Sequence, residues 1–507
     1  MSVIAGGGAW RARPRLAAAW SMLRAHWWPA LLVAAVALIE RHLVVANTDV
    51  SWGFTMAEKV LGGERPYVDF LEANPPAPIY LYLPAVVIAR LVGLSAERVM
   101  DYLVFIAIAG SLWFAARTLR RANLLERFDN ASLLAMVTAI VAVLPAQIFA
   151  EREHIAVVLF LPMLCVMLAR AAGEKPSWSE IIVAGLGAGV MVVLKPHLAL
   201  GVGATIAMAA WSARSWAVLV AVESWISFLV VAAYGAATAI AFPEFLSETV
   251  PMVRAVYLPL RHSLYDMIFK NPAVSIWISV LGLLALLRRA EPYDRRYGIL
   301  LAASVGFSGA LFLQGKGWPY HSYPMLALAL IAFACAVSER RMQTRTPLER
   351  AGWAAAVGVL AAATFLWMNV ATSLAPLEAP IRRLGPHPTM LAISHDIAIG
   401  HPLVRAVGGT WVEREGSLWL IGGALTRLAH ETLTAEEKAE LERYMALERA
   451  MLIDTLRRRK PDLIVVQKAG TDWEKWARAD AEINDLLKPY RKAVITPEIL
   501  VLQRAGP

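Results

Sequence analysis

Long apolar runs recur along the first three quarters of the chain, separated by short polar breaks that are often rich in arginine. A transmembrane helix needs about 20 mostly apolar residues. On that measure spans are predicted at 27–46, 99–118, 132–149, 155–170, 180–194, 196–212, 216–242, 272–288, 297–313, 320–338 and 351–374. Residues 78–94 are apolar too, but Pro78 and Pro84 interrupt them. If 78–94 also crossed, the basic loop holding Arg117, Arg120, Arg121 and Arg127 would face outward. Reading it as a helix at the outer interface puts all the basic connections on one side. These are Arg11, Arg13, Arg15 and Arg24; the 117–127 group; Arg170 with Lys175; Arg214; Arg288, Arg289, Arg295 and Arg296; and Arg340, Arg341, Arg345 and Arg350. Arginine and lysine mark the cytoplasmic side. The pattern therefore predicts about eleven spans, amino terminus inside and carboxyl terminus outside. The 180–212 region reads as two short spans or one hairpin broken at Lys195-Pro196-His197.

The pattern changes after residue 375, where charge rises. Residues 434–459 read as a charged amphipathic helix, opened by Thr434 and Glu437 in capping-box spacing. Asp462-Leu463-Ile464-Val465-Val466 reads as a buried strand after Pro461, residues 473–487 as a helix, and Glu498-Ile499-Leu500-Val501-Leu502 as a last strand. The predicted organisation is a cytoplasmic basic amino terminus (1–26), a transmembrane domain (27–374) with a first outer loop at 47–98, and an extracytoplasmic α/β domain (375–507). There is no internal repeat or low-complexity run.

Composition agrees with a polytopic helical membrane protein. The chain has 507 residues, 58% hydrophobic, with a mean hydropathy of +0.52, too apolar for a soluble globule. The net charge of +9 is assigned to arginines at cytoplasmic helix ends, not to a nucleic-acid partner. Cys165 and Cys335 lie inside apolar segments, so no disulfide framework is expected and the redox compartment is not readable from them. Residues 1–26 resemble a basic signal-peptide n-region, and Val44-Val45-Ala46 loosely resembles a cleavage site. The length of that region and the many spans after it favour a retained first span.

The remaining polar oddities gather on the predicted outer side. The first outer loop holds Asp49, Glu58, Lys59, Glu64, Arg65, Asp69 and Glu72. The next outer turn is Glu151-Arg152-Glu153-His154, the next holds Lys195 and His197, and 243–271 holds Arg254, Arg261, His262, Asp266 and Lys270. The last runs from Gln314 to Pro324 through Lys316, Trp318, Tyr320 and His321. Each has a plain structural reading. Asp49 could cap the helix after it, Glu151 to His154 could be a solvated turn, the lysines could snorkel to headgroups, and the aromatic residues could form an interfacial belt. Their convergence on one side argues otherwise. Carboxylates suit a general base or a divalent-metal site. Lysine and arginine suit a phosphate or pyrophosphate. Together they describe a site for a phosphate-bearing, lipid-linked substrate.

On these residues the chain resembles the C-type membrane glycosyltransferase superfamily (GT-C), over roughly residues 27–374. A first span leads into an outer loop with an early acid, Asp49, followed by Gly62-Gly63 to Asp69 and Asn74-Pro75-Pro76. A second acidic turn is Glu151-Arg152-Glu153-His154. Lys316, Pro319, Tyr320 and Pro324 open a late span, and Leu194-Lys195-Pro196 is a weaker match. The resemblance implies an inverting transferase that moves a sugar from a polyprenyl-phosphate donor to a glycan or lipid acceptor at the outer face. Asp49 would be the general base. Glu153, or Glu151, would assist by orienting the acceptor or holding a metal. Lys195, Lys316 and Arg261 would balance the leaving phosphate, with His321 and His154 as further phosphate contacts. Asp69, His154 and Tyr320 would support the acceptor side. Relatives often carry aspartate in the second acidic turn, so its acidic partner and metal dependence stay open. The candidate cofactor is a divalent cation, Mg or Mn, held by Asp49 and Glu153.

The expected setting is a bacterial inner membrane, with the bilayer and its lipid-linked donor as partners. Two other readings compete. One is a polymerase or ligase using a polyprenyl-pyrophosphate-linked glycan. The other is a non-enzymatic transporter, which would place its charges near the midplane on broken helices.

Overall fold

The structure, a computed structural model, describes residues 13–289, 291, 294–370 and 374–505, with side chains from residue 27 onward. Arg11 and the side chains of Arg13, Arg15 and Arg24 lie outside the described part. The chain opens with α1 (Arg13–Leu43), α2 (Thr48–Leu61), α3 (Ala77–Val92), α4 (Ala96–Arg121), α5 (Asn130–Ala142), α6 (Arg152–Ala171), α7 (Trp178–Leu194), α8 (Ala199–Ala213) and α9 (Val222–Ala241). A run of π-helical turns around the short α10 (Val250–Met252) leads to α11 (Leu264–Phe269), α12 (Pro272–Arg288), α13 (Arg295–Gln314), α14 (Pro319–Val337) and α15 (Pro347–Met368).

Every predicted span falls on a helix. Six stretches are long and apolar enough to cross a membrane: α4, α6, Trp216–Ala241, α13, α14 and α15. A seventh is the bent pair of α1 and α2, which meet at 73°. The other four predicted spans fall on α5, α7, α8 and α12, with 13, 17, 15 and 17 residues. At 1.5 Å per residue the shortest covers about 20 Å of a hydrocarbon core of roughly 30 Å. Length and composition alone thus account for six or seven of the eleven predicted spans.

Helices α6 and α14 form the buried centre of the bundle, while α9 and α15 are largely exposed on its outside. Small residues set the close approaches. A Cβ added at Gly185 or Gly189 of α7 would lie 2.7 Å from Ile226 or Val230 of α9. That four-residue spacing of glycines lets the two backbones meet.

The C-terminal region adds α16 (Ala375–Arg382), β1 (Thr389–Ile393), α17 (Leu403–Ala406), β2 (Thr410–Trp411), α18 (Trp419–His430) and α19 (Ala435–Arg459). It closes with β3 (Leu463–Gln467), α20 (Trp473–Ala479), α21 (Ala481–Leu487), β4 (Tyr490–Ile495) and β5 (Ile499–Arg504). The strands form one sheet in the order β2-β1-β3-β5-β4, parallel through β2-β1-β3 and antiparallel from β3 onward. The capping box at Thr434 and Glu437 forms as expected. The helix predicted over 473–487 is instead two, because Asp480 turns out of helix and caps α21 through the N–H groups of Glu482 and Ile483.

Strand periodicity decides what each sheet face touches. Leu463, Val465, Ile499 and Val501 point to one side, where they share a core with Trp52, Met56, Tyr67, Phe70 and Phe245. Ile464, Val466, Leu500 and Leu502 point to the other, toward α18, α20 and α21. One face of the sheet is therefore seated on the 47–98 segment, and this brings the C-terminal domain over the helix that carries Asp49.

Candidate active site

Asn47 caps α2: its side chain accepts the N–H of Asp49 at 2.8 Å. Asp49 is therefore free of the capping role and lies in the first helical turn, where the helix dipole favours an anion. Its Oδ2 accepts a hydrogen bond from Nη2 of Arg152 at 3.3 Å. Among the described residues its other oxygen has no partner.

Arg152 is placed by the start of α6. Ala150 takes a left-handed backbone, φ 66°, unusual for a residue with a Cβ. Glu151 then caps the helix by accepting the N–H of Arg152 at 3.0 Å. The polar turn predicted as solvent-facing in its plain reading is buried: Glu151, Glu153 and His154 are 0% exposed and Arg152 is 6%.

The two glutamates sit behind cations. Glu151 lies 3.5 Å from the Arg152 guanidinium and accepts the Tyr82 hydroxyl at 3.4 Å. Glu153 pairs with Lys195 and lies 3.7 Å from Nε2 of His321. Lys195 is the extended residue, φ −149°, that separates α7 from α8 ahead of Pro196. It also bonds Gln314 at 3.3 Å and lies 5.1 Å from the Tyr320 ring.

Lys316 arrives from the opposite side. Gly315 and Gly317 flank it with φ of 65° and 69°, conformations that glycine adopts without a Cβ clash. Its ammonium donates to the carbonyls of Tyr257 and Leu260 and lies 3.9 Å from the Tyr257 ring. Burial, and then the nearby Arg261, lower its pKa to about 8.

These groups line a cavity of about 880 Å³ between the helix ends and the C-terminal domain. One wall carries Arg152, Lys195, His197, Arg261, Lys316, Tyr320 and His321; Asp49, Trp52, Glu72 and Tyr82 form a second. His395, Asp396, Ser417, Trp419 and Thr426 of the C-terminal domain form a third.

The structure thus brings together Asp49, Lys195, Lys316, Arg261, His321 and Tyr320, all expected from the sequence. It does not bring Glu151, Glu153, His154 or Asp69 to the cavity wall. Glu151 and Glu153 underlie Arg152 and Lys195. His154 is held by the Val141 carbonyl at 2.7 Å and the Ala150 N–H at 3.1 Å, inside the bundle. Asp69 is exposed and caps a turn by accepting the Arg65 N–H at 2.7 Å. Asp49 pairs with Arg152 and Glu153 with Lys195, and of these two acids only Asp49 lines the cavity. Among the described residues no group of three His, Cys, Asp or Glu has metal-binding spacing.

Sequence reasoning passed over Trp52, Tyr82, Tyr257 and the whole C-terminal wall. The signal for His395 and Asp396 is their place directly after β1. Ligands of open α/β sheets gather at the carboxyl ends of parallel strands.

A helical bundle with a sheet domain seated on the segment after its first long helix is a fold shared with a solved membrane glycosyltransferase. The particular solved structure that shows it is the aminoarabinose transferase ArnT from Cupriavidus metallidurans bound to undecaprenyl phosphate. It aligns over 97% of this chain and 100% of that chain, with a TM-score of 0.58 and 14% identity. The mycobacterial arabinofuranosyltransferase AftD aligns over 94% of this chain but 40% of its own, with a TM-score of 0.44 and 14% identity. At these identities the likeness is one of fold. No family model and no curated protein matches the sequence.

Proposed function

We propose that this protein is a glycosyltransferase that moves a sugar from a polyprenyl-phosphate-linked donor to a glycan or lipid acceptor of the cell envelope. It would act at the outer face of a bacterial inner membrane, with the amino terminus cytoplasmic and the C-terminal domain periplasmic. The observation that carries this reading is the composition of the cavity: a carboxylate with an unpartnered oxygen, Asp49, facing a wall built from Arg152, Lys195, Arg261 and Lys316. The fold shared with ArnT, which was captured with undecaprenyl phosphate, supports it.

The chemistry follows from the two walls. An acceptor hydroxyl is a weak nucleophile, and Asp49 takes its proton as the oxygen attacks the anomeric carbon. The bond from that carbon to the phosphate oxygen breaks, and the electron pair leaves with polyprenyl phosphate. The cations stabilise the developing negative charge in a site of low dielectric. A single displacement inverts the anomeric centre. Glu151 and Glu153 are positioning residues that hold Arg152 and Lys195.

Glu72 is a weaker candidate for the base, because its oxygens already accept from Trp52 at 2.7 Å and from the Asn74 N–H at 2.9 Å. The same cation wall would also take a pyrophosphate, so a polymerase or ligase is the second reading. The released lipid, monophosphate or pyrophosphate, separates the two. Transport is disfavoured because the charged groups lie at helix ends.

The test is Asp49→Asn in purified protein, offered radiolabelled polyprenyl-phosphate sugars with native membranes as acceptor. Transfer is expected to fall by at least about 10²-fold, while binding of undecaprenyl phosphate persists. Full transfer activity in the variant would remove Asp49 from the reaction.

A further inference from the structure

The opposite ends of the same helices build a second polar cavity. Helix α6 begins at Arg152 in the first cavity and ends at Ala171 in the second; α13 and α14 likewise connect the two. The 20 residues of α6 span about 30 Å, the thickness of the hydrocarbon core. The second cavity therefore lies at the headgroup level of the other leaflet. Its volume is about 800 Å³.

Arginines from three separate connections converge on it. Arg127 follows α4, Arg288, Arg295 and Arg296 flank the α12–α13 connection, and Arg340 and Arg341 follow α14. The positive-inside pattern requires only that such residues lie in these loops. It does not require that they meet around one opening.

Three acids balance half of this charge. Asp294 takes Arg127 and Arg296, Glu339 takes Arg288 and Arg341, and Glu291 also pairs with Arg341. Arg295 and Arg340 are exposed and pair with no acid among the described residues. Their side chains donate only to the carbonyls of Ser212 at 2.7 Å and Phe128 at 3.2 Å. Arg340 also borders an adjoining cavity of about 400 Å³ that contains Arg120.

We propose that this cavity binds the headgroup of an anionic phospholipid, with Arg295 and Arg340 taking the phosphodiester. The bound lipid would tie together the connections that follow α4, α12 and α14. The commitment to lipid rests on depth and charge: the opening sits where headgroups sit, with an excess of guanidinium over carboxylate.

The test is native mass spectrometry of the delipidated full-length protein, titrated with phosphatidylglycerol, cardiolipin or phosphatidylethanolamine. The two anionic lipids are expected to bind at least about tenfold tighter than the zwitterionic one. Combined Arg295→Gln and Arg340→Gln should remove that selectivity while thermal unfolding without lipid is unchanged. Neither arginine is in the transfer machinery, so undecaprenyl phosphate binding at the other face should persist. Equal binding of all three lipids, or selectivity that survives the double substitution, would overturn the proposal. So would displacement of both anionic lipids by equimolar free polyphosphate, which would mark a site for soluble phosphate.

Discussion

Replacing Lys195 with methionine separates support from chemistry at this site. Lys195 is 6% exposed and Glu153 0%. They pair with each other, and the second oxygen of Glu153 has no partner. Removing the ammonium strands a buried carboxylate whose next neighbour is the His321 ring at 3.7 Å. Breaking a buried pair from one side costs about 3–5 kcal/mol, whereas replacing both partners by uncharged groups of similar volume is close to neutral. Lys195→Met should therefore lower the thermal unfolding midpoint by several degrees. Lys195→Met combined with Glu153→Gln should recover most of that loss, a coupling of the size seen for residues in one network. Transfer should remain poor in both, because the phosphate has lost a cation in each. Tryptophan fluorescence melts in detergent, run beside the transfer assay, read the two effects separately. A double variant as unstable as the single one, or a single variant as stable as the parent, would refute the pair as the support of the cation wall. Recovery of transfer along with stability would show Lys195 to be structural only.

Two pH profiles follow from groups outside the spans. The Lys316 ammonium, with its pKa lowered to about 8 by burial and by Arg261, loses its charge as pH rises through that value. Affinity for undecaprenyl phosphate should fall between pH 7 and 9, and Lys316→Ala should weaken binding and flatten that part of the profile; an unaltered profile in the variant would exclude it. In the C-terminal domain Glu413 and Glu448 are pushed up to about 7 by burial. A free glutamate titrates near 4.3. The folded state therefore holds the proton more tightly, and the stabilisation is complete below pH ~4 and lost as pH rises through 7. The loss is one of global stability, so hydrogen-exchange protection of the slowest amides in this domain, corrected for intrinsic rates, should fall from pH 5 to 8. Protection that stays constant over that range would contradict this.

The helices were legible because each apolar run is long against its breaks. Their lengths were less so. Apolar length shows that a segment is buried in bilayer or protein, and α7 and α8 are helices of 17 and 15 residues whose small residues let them pack against neighbours instead of facing lipid all round. In the C-terminal domain β3 and β5 stood out as unbroken Leu-Ile-Val runs, since both faces of those strands are covered. The strand β1, Thr389-Met390-Leu391-Ala392-Ile393, went unread: one alanine and a methionine weaken its strand signal. With β1 missed, the cavity residues that follow it, His395 and Asp396, had no element to hang from.

The candidate site was half legible for a definite reason. Sequence shows which side of the membrane a charge lies on, and it put Asp49, Lys195, Lys316 and Arg261 on one side. It does not show depth. In Glu151-Arg152-Glu153-His154 the acids look like the chemistry and the arginine like topology. In the fold the order is reversed, because α6 starts at the cavity floor: the Arg152 side chain reaches the cavity while Glu151, Glu153 and His154 are buried in the bundle. A carboxylate there can be ionised only beside a cation, so Glu151 and Glu153 are consumed in holding Arg152 and Lys195 at the surface. Asp49 escapes this fate because Asn47 takes the capping role and the bend after α1 lifts its turn into the open cavity. The group that faces Asp49 across the second turn is thus an arginine. On the proposed reading, the site sets Asp49 as base against a cationic wall.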